Sequence, residues 1–320
     1  MQISAVITTY NQREILEICL DSLLKQAQPC SEIIVVDCGS TDGTAELIAR
    51  KYPAVKWISR PGEQVDEARA INLGIGGAQF SHILLLNADV RLEEDCLREL
   101  AEGLVIHPEA AAAIPKIMNF YTPELIDAVG HRPYYDFYPA HVGQDERDAG
   151  QYDRVCAVFG GCLAGALIKK EVFGKTGAFD EDFCYHSVDD FFWRFNLSGF
   201  KCIYLPASRM YHRRLRSRVS PGYVFICERN RVWSLIKYYP VFMIIKSFFY
   251  TFKRLFLSAF SYTAKKKLSV YRVVPAVLYA WIYGITHSKK FWICRRREGY
   301  PELFSDSMER WLNRSWVSIN

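Results

Sequence analysis

Between Ile3 and Asp89 the chain alternates short apolar runs with segments of helical spacing, and this restricts the fold more than any other feature. Ile3 to Ile7, SEIIVVD, VKWIS and HILLLN have strand length. Between them, Ile15, Ile18, Cys19 and Leu23 recur at helical spacing. STDGTAELIARKY opens with cap residues and continues as a helix, and VDEARAINLGIGGA ends in glycines. Strands alternating with helices predict a parallel, three-layer α/β sheet. The unbroken runs EIIVVD and ILLLN fit strands buried on both faces. With 320 residues, half of them hydrophobic, the chain can bury one large domain or one domain with an appendage. From Met118 to Asp153 the pattern gives way to loops rich in Tyr, Pro and Asp, and regular structure resumes at VFGGCLAGALIKKEVF. A helix around DDFFWRFNLSGF and a strand, KCIYLP, follow.

Open parallel sheets bind ligands outside the carboxyl ends of their strands. Tyr10 and Asn11 follow the first strand, Asp37 ends the second, and Asn87 and Asp89 end the fourth. Any one of these could cap a helix or turn, and for Asp42 in STDGT that reading weighs as much as a functional one. Asp37 and Asp89 together are a stronger signal, because both follow buried strands and fall in one crevice.

The ordered segments VITTYN, VVDCGSTDGT, EARAINLGI, LLNADV, GQYDRV, GGCLAGALIKKEVFGKTGAFDEDF, VDDFFWR and YLPASRMYHRR resemble the motifs of family 2 glycosyltransferases. The resemblance runs from Ile3 to Arg218 and is nearest to the rhamnosyltransferase-like branch, which builds bacterial surface polysaccharides. It implies a GT-A fold, with a nucleotide-binding half over 1–117 and an acceptor-binding half over 118–218. It implies that Thr8, Tyr10 and Asn11 line the nucleotide pocket and that Asp37 accepts hydrogen bonds from the base or ribose. Arg69 and Asn72 match the helix that approaches the base and phosphates. Asn87-Ala88-Asp89 stands where the family has its D-x-D-type motif, so Asp89 is expected to hold Mg²⁺ or Mn²⁺ against the donor diphosphate. Asn87 replaces an Asp found in many relatives and lowers the negative charge there. His212 in MYHRR matches a histidine placed near the metal and diphosphate, and Arg213, Arg214 and Arg216 are candidate phosphate clamps.

Inverting transfer needs a group that takes the proton of the acceptor hydroxyl. Relatives carry E-D-x-D at the start of a helix below the donor, whereas this chain has Ser187-Val188-Asp189-Asp190. Asp190 matches the last Asp of that motif, and Asp189, beside the displaced carboxylate, is the favoured base. Both could instead be helix N-terminal residues stabilised by the dipole. The departure also admits a catalytically silent nucleotide-sugar-binding scaffold at a membrane. A nucleotidyltransferase is disfavoured, since TTYNQREI and not a Gly-rich, basic phosphate loop follows the first strand.

The net charge of +5 conceals an asymmetry: Arg229 to Arg297 holds 15 Lys and Arg and no Asp or Glu, leaving 25 basic against 35 acidic residues elsewhere. Residues 219–320 therefore read as a basic, aromatic, helical extension. Its uncharged runs are shorter than the ~20 residues of a membrane crossing. Helices lying in an anionic membrane interface fit better, with packing on the catalytic domain or a homodimer as the alternatives. No nucleic-acid-binding motif accompanies the basic residues. The N-terminus lacks a secretion signal and the ten cysteines show no C-x-x-C pair, so a cytoplasmic, reduced protein on the inner membrane face is expected.

Overall fold

The computed structural model describes residues 1–59, 66–133, 140–184, 187–214, 220–265, 270–299 and 317–318. The first half follows the expected alternation: β1 (Ile3–Thr9), α1 (Arg13–Leu24), β2 (Glu32–Asp37), α2 (Thr44–Lys51), β3 (Lys56–Ser59), α3 (Glu67–Gly77) and β4 (His82–Asn87). There follow β5 (Val90–Leu92), α4 (Cys96–Ile106), β6 (Ala112–Asn119), β7 (Ile126–Ala128), β8 (His131–Arg132) and β9 (Ala140–His141). The chain continues with β10 (Cys156–Val158), β11 (Gly165–Lys169), α5 (Glu171–Thr176), α6 (Ser187–Leu197) and β12 (Cys202–His212). Helices α7 (Pro221–Tyr238), α8 (Val241–Lys265), α9 (Val270–Thr286) and α10 (Lys289–Glu298) precede a last strand, β13 (Val317–Ser318).

One sheet runs in the order β3-β2-β1-β4-β11-β6-β12-β10-β13, with β5 paired to β12 and β7 to β6. Strands β3, β2, β1 and β4 are parallel. The sheet is mixed beyond them, because β11 runs antiparallel to both β4 and β6. The fully parallel sheet expected from the sequence is thus confined to residues 3–87.

Period-2 alternation in buried strands builds the layers. Ile3, Ala5, Ile7, Ile33, Val35, Leu84 and Leu86 pack with apolar residues of α1, α2 and α4. Val6, Ile34, Val36, Ile83 and Leu85 join the opposite core with α3, α6 and α7. Close approach of α3 to the sheet requires Gly74, where a Cβ would stand 2.2 Å from Val6 Cγ1.

Helix α7 does not stand apart from this body. Trp233 and Phe183 pack edge to face, and Lys237 Nζ lies 2.6 Å from Asp190 Oδ1 on α6. A buried Glu228–Arg231 pair, 2.8 Å apart, is extended by the hydroxyls of Ser247 and Thr251 and ties α7 to α8. The boundary expected near residue 218 falls outside the described residues. Among the described residues no helix is long and apolar enough to cross a membrane.

Candidate active site

Register places the polar ends of the parallel strands in one row. Ser59 is level with Asp37, Asp37 with Thr9, and Thr8 with Asn87. Asp37 is buried and accepts from the Ser40 amide at 3.0 Å and from Ser59 Oγ at 3.1 Å. Two carboxylate oxygens offer about four acceptor sites, so capacity remains for a ligand. Asn11 has φ 50°, a conformation asparagine tolerates. Its amide receives the Thr41 N–H at 2.8 Å and its own N–H reaches Ser40 Oγ at 2.8 Å, tying the β1–α1 loop to the β2–α2 loop. Asp42 accepts from the Arg13 amide at 2.9 Å and the Thr44 amide at 3.2 Å, the capping behaviour weighed for it above. Tyr10 is exposed, and Thr8 is buried.

Two residues assigned to the nucleotide side lie on α3. Arg69 is exposed there. Asn72 turns toward the loop before α6: its Nδ2 donates to Phe179 O at 2.9 Å and to Glu181 Oε1 at 3.0 Å, while its Oδ1 accepts from the Phe179 amide at 2.9 Å. The amide clasps the 179–181 loop, and this use differs from the base or phosphate contact expected.

Asp89 follows β4 in a tight turn, and β5 then leaves antiparallel to the end of β12. A register shift between Leu205 and Arg209 lets β12 continue along β6 until His212 is level with Val90. His212 Nε2 consequently sits 3.3 Å from Asp89 Oδ1, although 123 positions separate the two in sequence. The other ring nitrogen is 2.8 Å from Asp127 Oδ2 on β7. Burial opposes charge on this imidazole, but hydrogen bonds to and the charges of Asp127 and Asp89 prevail and raise its pKa to about 9. Arg214, at positive φ, approaches Asp127 Oδ1 at 3.3 Å and Asp145 at 3.5 Å. Arg213 donates to the Tyr121 hydroxyl, and Arg216 lies outside the described residues.

A carboxylate that fixes one nitrogen of a histidine and leaves the other for a cation is the usual support of a metal ligand. Neighbouring ligands of an octahedral ion with bonds of ~2.1 Å lie about 3 Å apart, close to the Asp89–His212 separation. Among the described residues no three His, Cys, Asp or Glu side chains form a complete protein cage. Asp89 and His212 would hold an ion that takes its remaining ligands from substrate oxygens and water, on condition that the cation displaces the proton this pair otherwise holds.

The two acidic residues of α6 have different surroundings. Asp190 is 0% exposed. Lys237 and the Tyr238 hydroxyl each reach its Oδ1 at 2.6 Å, and Arg194 reaches Oδ2 at 2.9 Å. Burial pushes this carboxyl upward, but the Lys237 and Arg194 charges outweigh it and hold the pKa at about 2. As placed, Asp190 is a buried anchor for α7 and offers no oxygen to the crevice, in contrast to the catalytic part considered for it. Asp189 faces the other way, its Oδ1 3.1 Å from His131 Nδ1. Tyr185 and His186 are outside the described residues.

Asp127 and His131 were not singled out in the sequence. They fall in IDAVGH, within a stretch lacking any period, and only their residue types hint at chemistry. His141 stacks on His131 at 4.7 Å and feels the charges of both Asp127 and Asp189. Cys162 of the GGC segment is pushed up to about 12 by burial and by Asp127 and Asp89. The strand-end carboxylate, the β12 histidine and the α6 aspartate thus surround one region.

Residues 4–175 match Glycosyl transferase family 2. Poly-beta-1,6-N-acetyl-D-glucosamine synthase of Staphylococcus epidermidis is 25% identical over 208 residues, covering 64% of this chain and 48% of that protein. N-acetylglucosaminyl-diphospho-decaprenol L-rhamnosyltransferase of Mycobacterium tuberculosis is 24% identical over 266 residues, 71% of this chain and 85% of the relative. The chain thus spans about half the length of the first of these relatives and most of the second. GalNAc-T7, solved with UDP, GalNAc and Mn²⁺, superposes with a TM-score of 0.65 at 15% identity, covering 97% of this chain and 57% of that one. A mannosyltransferase from Pyrobaculum calidifontis, in complex with GDP-Man and Mn²⁺, gives 0.52 at 16% identity, with 93% and 73% covered. At such identity these structures establish a shared GT-A-like fold. With more than half of its residues matched, the chain belongs to glycosyl transferase family 2.

Proposed function

We propose that the chain is a metal-dependent inverting glycosyltransferase of cell-surface glycan synthesis, moving a sugar from a nucleoside-diphosphate donor to a lipid-linked or oligosaccharide acceptor. Rhamnose is one candidate sugar, on the likeness to the mycobacterial enzyme. The observation that carries the reading is the meeting of Asp89, from the nucleotide half, with His212 and Asp127, from the acceptor half. Thr8, Tyr10, Asn11 and Asp37 line the crevice as a nucleoside site, with Asn87 beside the diphosphate. Mg²⁺ or Mn²⁺ held by Asp89 and His212 would stabilise negative charge on the leaving nucleoside diphosphate. Asp189 takes the acceptor hydroxyl proton as that oxygen bonds to the anomeric carbon and the sugar–phosphate bond breaks. Arg213 and Arg214 stand where they can pair with phosphate oxygens.

The C-terminal helices support a membrane-facing role. Phe242 (67% exposed), Phe249 and Ile245 on α8 and Ile282 (63%) on α9 leave large apolar side chains in solvent. No carboxylate lies between Arg229 and Arg297 to oppose their basic neighbours. Such a surface suits an anionic bilayer interface, which would bring a lipid-linked acceptor to the crevice.

Full-length protein incubated with UDP-, dTDP- and GDP-sugars should release nucleoside diphosphate from at least one donor, and EDTA should stop it. Donor binding without turnover in the presence of acceptor lipids would favour the silent scaffold. Vesicles containing anionic lipid should carry the protein upward in flotation at low salt. Protein that stays at the bottom would turn the exposed faces into a dimer or packing surface.

A further inference from the structure

A patch of arginine and aromatic side chains lies on β5 and just past the end of β6, against the end of β12. It adjoins the Asp89–His212 contact: the Phe120 amide donates to His212 O at 3.0 Å, and the Arg213 amide to Asp89 O at 2.8 Å. Arg91, on β5, is level with Tyr211. Its guanidinium lies 4.2 Å from the centre of the Tyr211 ring and 6.0 Å from that of Phe120. Phe120 meets Tyr121 edge to face, with centroids 5.5 Å apart. Arg213 donates to the Tyr121 hydroxyl, its guanidinium 5.9 Å from the ring centre.

Charge and order set this patch apart from ordinary surface. Arg209 and Arg214, on the same stretch of chain, are paired, the first with Asp148 and the second with Asp127 and Asp145. Arg91 and Arg213 have no carboxylate partner among the described residues. Glu93 takes the Tyr211 hydroxyl instead, at 2.7 Å. A guanidinium resting on an aromatic ring keeps the donors at its edge for phosphate oxygens. Tyr121 is 65% exposed and yet fixed. Its amide N–H and that of Thr122 both reach Asn119 Oδ1, at 2.9 and 3.0 Å, and Arg213 holds its hydroxyl. A ring ordered before its ligand arrives loses little further freedom on binding.

We propose that Arg91, Tyr121 and Arg213 form a subsite for the phosphorylated head of the acceptor. A sugar ring lies against Tyr121, and Arg91 and Arg213 hold the phosphate or diphosphate that joins this sugar to its carrier. The subsite rests on the transferase reading above and narrows its acceptor to one that carries phosphate. The nucleoside groups belong to β1 and β2, so the two ligands use different strands.

The test is calorimetric binding to the full-length protein, with Mn²⁺ and a saturating amount of whichever of UDP, dTDP or GDP the wild type binds, so that the donor site is filled. The probes are glucosyl butyl diphosphate, butyl diphosphate and butyl glucoside. The glucosyl diphosphate should bind the wild type most tightly of the three. Arg91→Met should weaken both diphosphate probes about 10-fold, and change the neutral glucoside and the nucleotide by less than about twofold. Tyr121→Leu should weaken the glucosyl diphosphate about 3- to 10-fold more than butyl diphosphate. Thermal unfolding checks that both variants fold. No binding of the glucosyl diphosphate, an equal loss for charged and neutral probes in Arg91→Met, or an equal loss for both diphosphates in Tyr121→Leu would each overturn the proposal. A matching loss of nucleotide affinity in Arg91→Met would overturn it too, by placing the patch in the donor site. So would unchanged probe binding together with weaker flotation on phosphatidylglycerol vesicles, which would make the patch a membrane contact. If no nucleotide binds and no donor is turned over, the transferase reading itself fails; if nucleotides bind and the probes do not, only the subsite does.

Discussion

The two halves of the sheet reach the same crevice by different means. In the parallel half, β1, β2 and β4 end side by side, and their loops are tied by contacts such as Asn11 with Ser40 and Thr41. Register delivers Thr8, Asp37 and Asn87 to the site. In the mixed half, residues far apart in sequence are joined by turns, a register shift and buried charges: Asp127 to His212, His131 to Asp189, Lys237 to Asp190. A site assembled by register follows from strand pattern, whereas a site assembled by long-range ion pairs depends on each partner. Substitutions should therefore be felt most where the halves meet through charged side chains, and less where a neutral amide joins them.

The largest effect is expected at the junction. Asp89→Ala should reduce turnover by a factor on the order of 10³, equivalent to the several kcal/mol a cation contributes to the leaving group. The wild type in EDTA should show a loss of similar size, and a variant that retains half its rate would break the comparison at its centre. Next comes Asp127→Asn, which keeps the shape but removes the charge behind His212. Supports of this kind are worth about 10- to 100-fold in metal affinity or activity, read as the Mn²⁺ concentration giving half-maximal rate.

Buried charge in the mixed half should appear in stability. Because the Asp190 carboxyl is held at about 2, below the ordinary value near 4, its pairing stabilises the fold fully above about pH 4. That contribution is lost as pH falls from 4 toward 2. Lys237→Met strands part of this charge and should cost up to about 3–5 kcal/mol at pH 7. The difference in Tm between variant and wild type should narrow as the pH is lowered through that window. A constant difference would mean that Lys237 acts through packing alone.

The smallest effect sharpens the comparison. Asn72 was expected among the nucleotide contacts, yet its amide spans the halves. Asn72→Ala should destabilise by about 1–2 kcal/mol and change nucleoside diphosphate affinity less than about threefold. A tenfold loss of affinity with an unchanged Tm would return Asn72 to the nucleotide.

What was legible in the sequence divides along the same line. EIIVVD and HILLLN announced buried strands, and with them the carboxylates at their ends. The mixed sheet was hidden because an apolar run such as that of β11 does not reveal its direction, and β7 and β8 have only three and two residues, too few to display a period. Asp127 and His131 shared that concealment. Asp189 was favoured over Asp190 as base, but nothing in the sequence showed what either would touch. Successive helical residues point about 100° apart, so one reaches His131 and the other Lys237, and only the surrounding elements decide which. Lys237 sat in a basic tail with no sign that a buried aspartate would claim it.

The central claim is that one cation-and-diphosphate site is shared between the halves, with Asp89 supplied by one and His212 by the other. Calorimetric titration of UDP, dTDP and GDP into the full-length protein, with Mn²⁺ and with EDTA, tests it most directly. At least one nucleotide should bind the wild type more tightly with Mn²⁺. In both Asp89→Ala and His212→Ala that Mn²⁺-dependent gain should vanish, leaving only residual affinity from the base and ribose contacts. Equal binding by the wild type in Mn²⁺ and EDTA, or a full Mn²⁺ gain in either variant, would contradict the account.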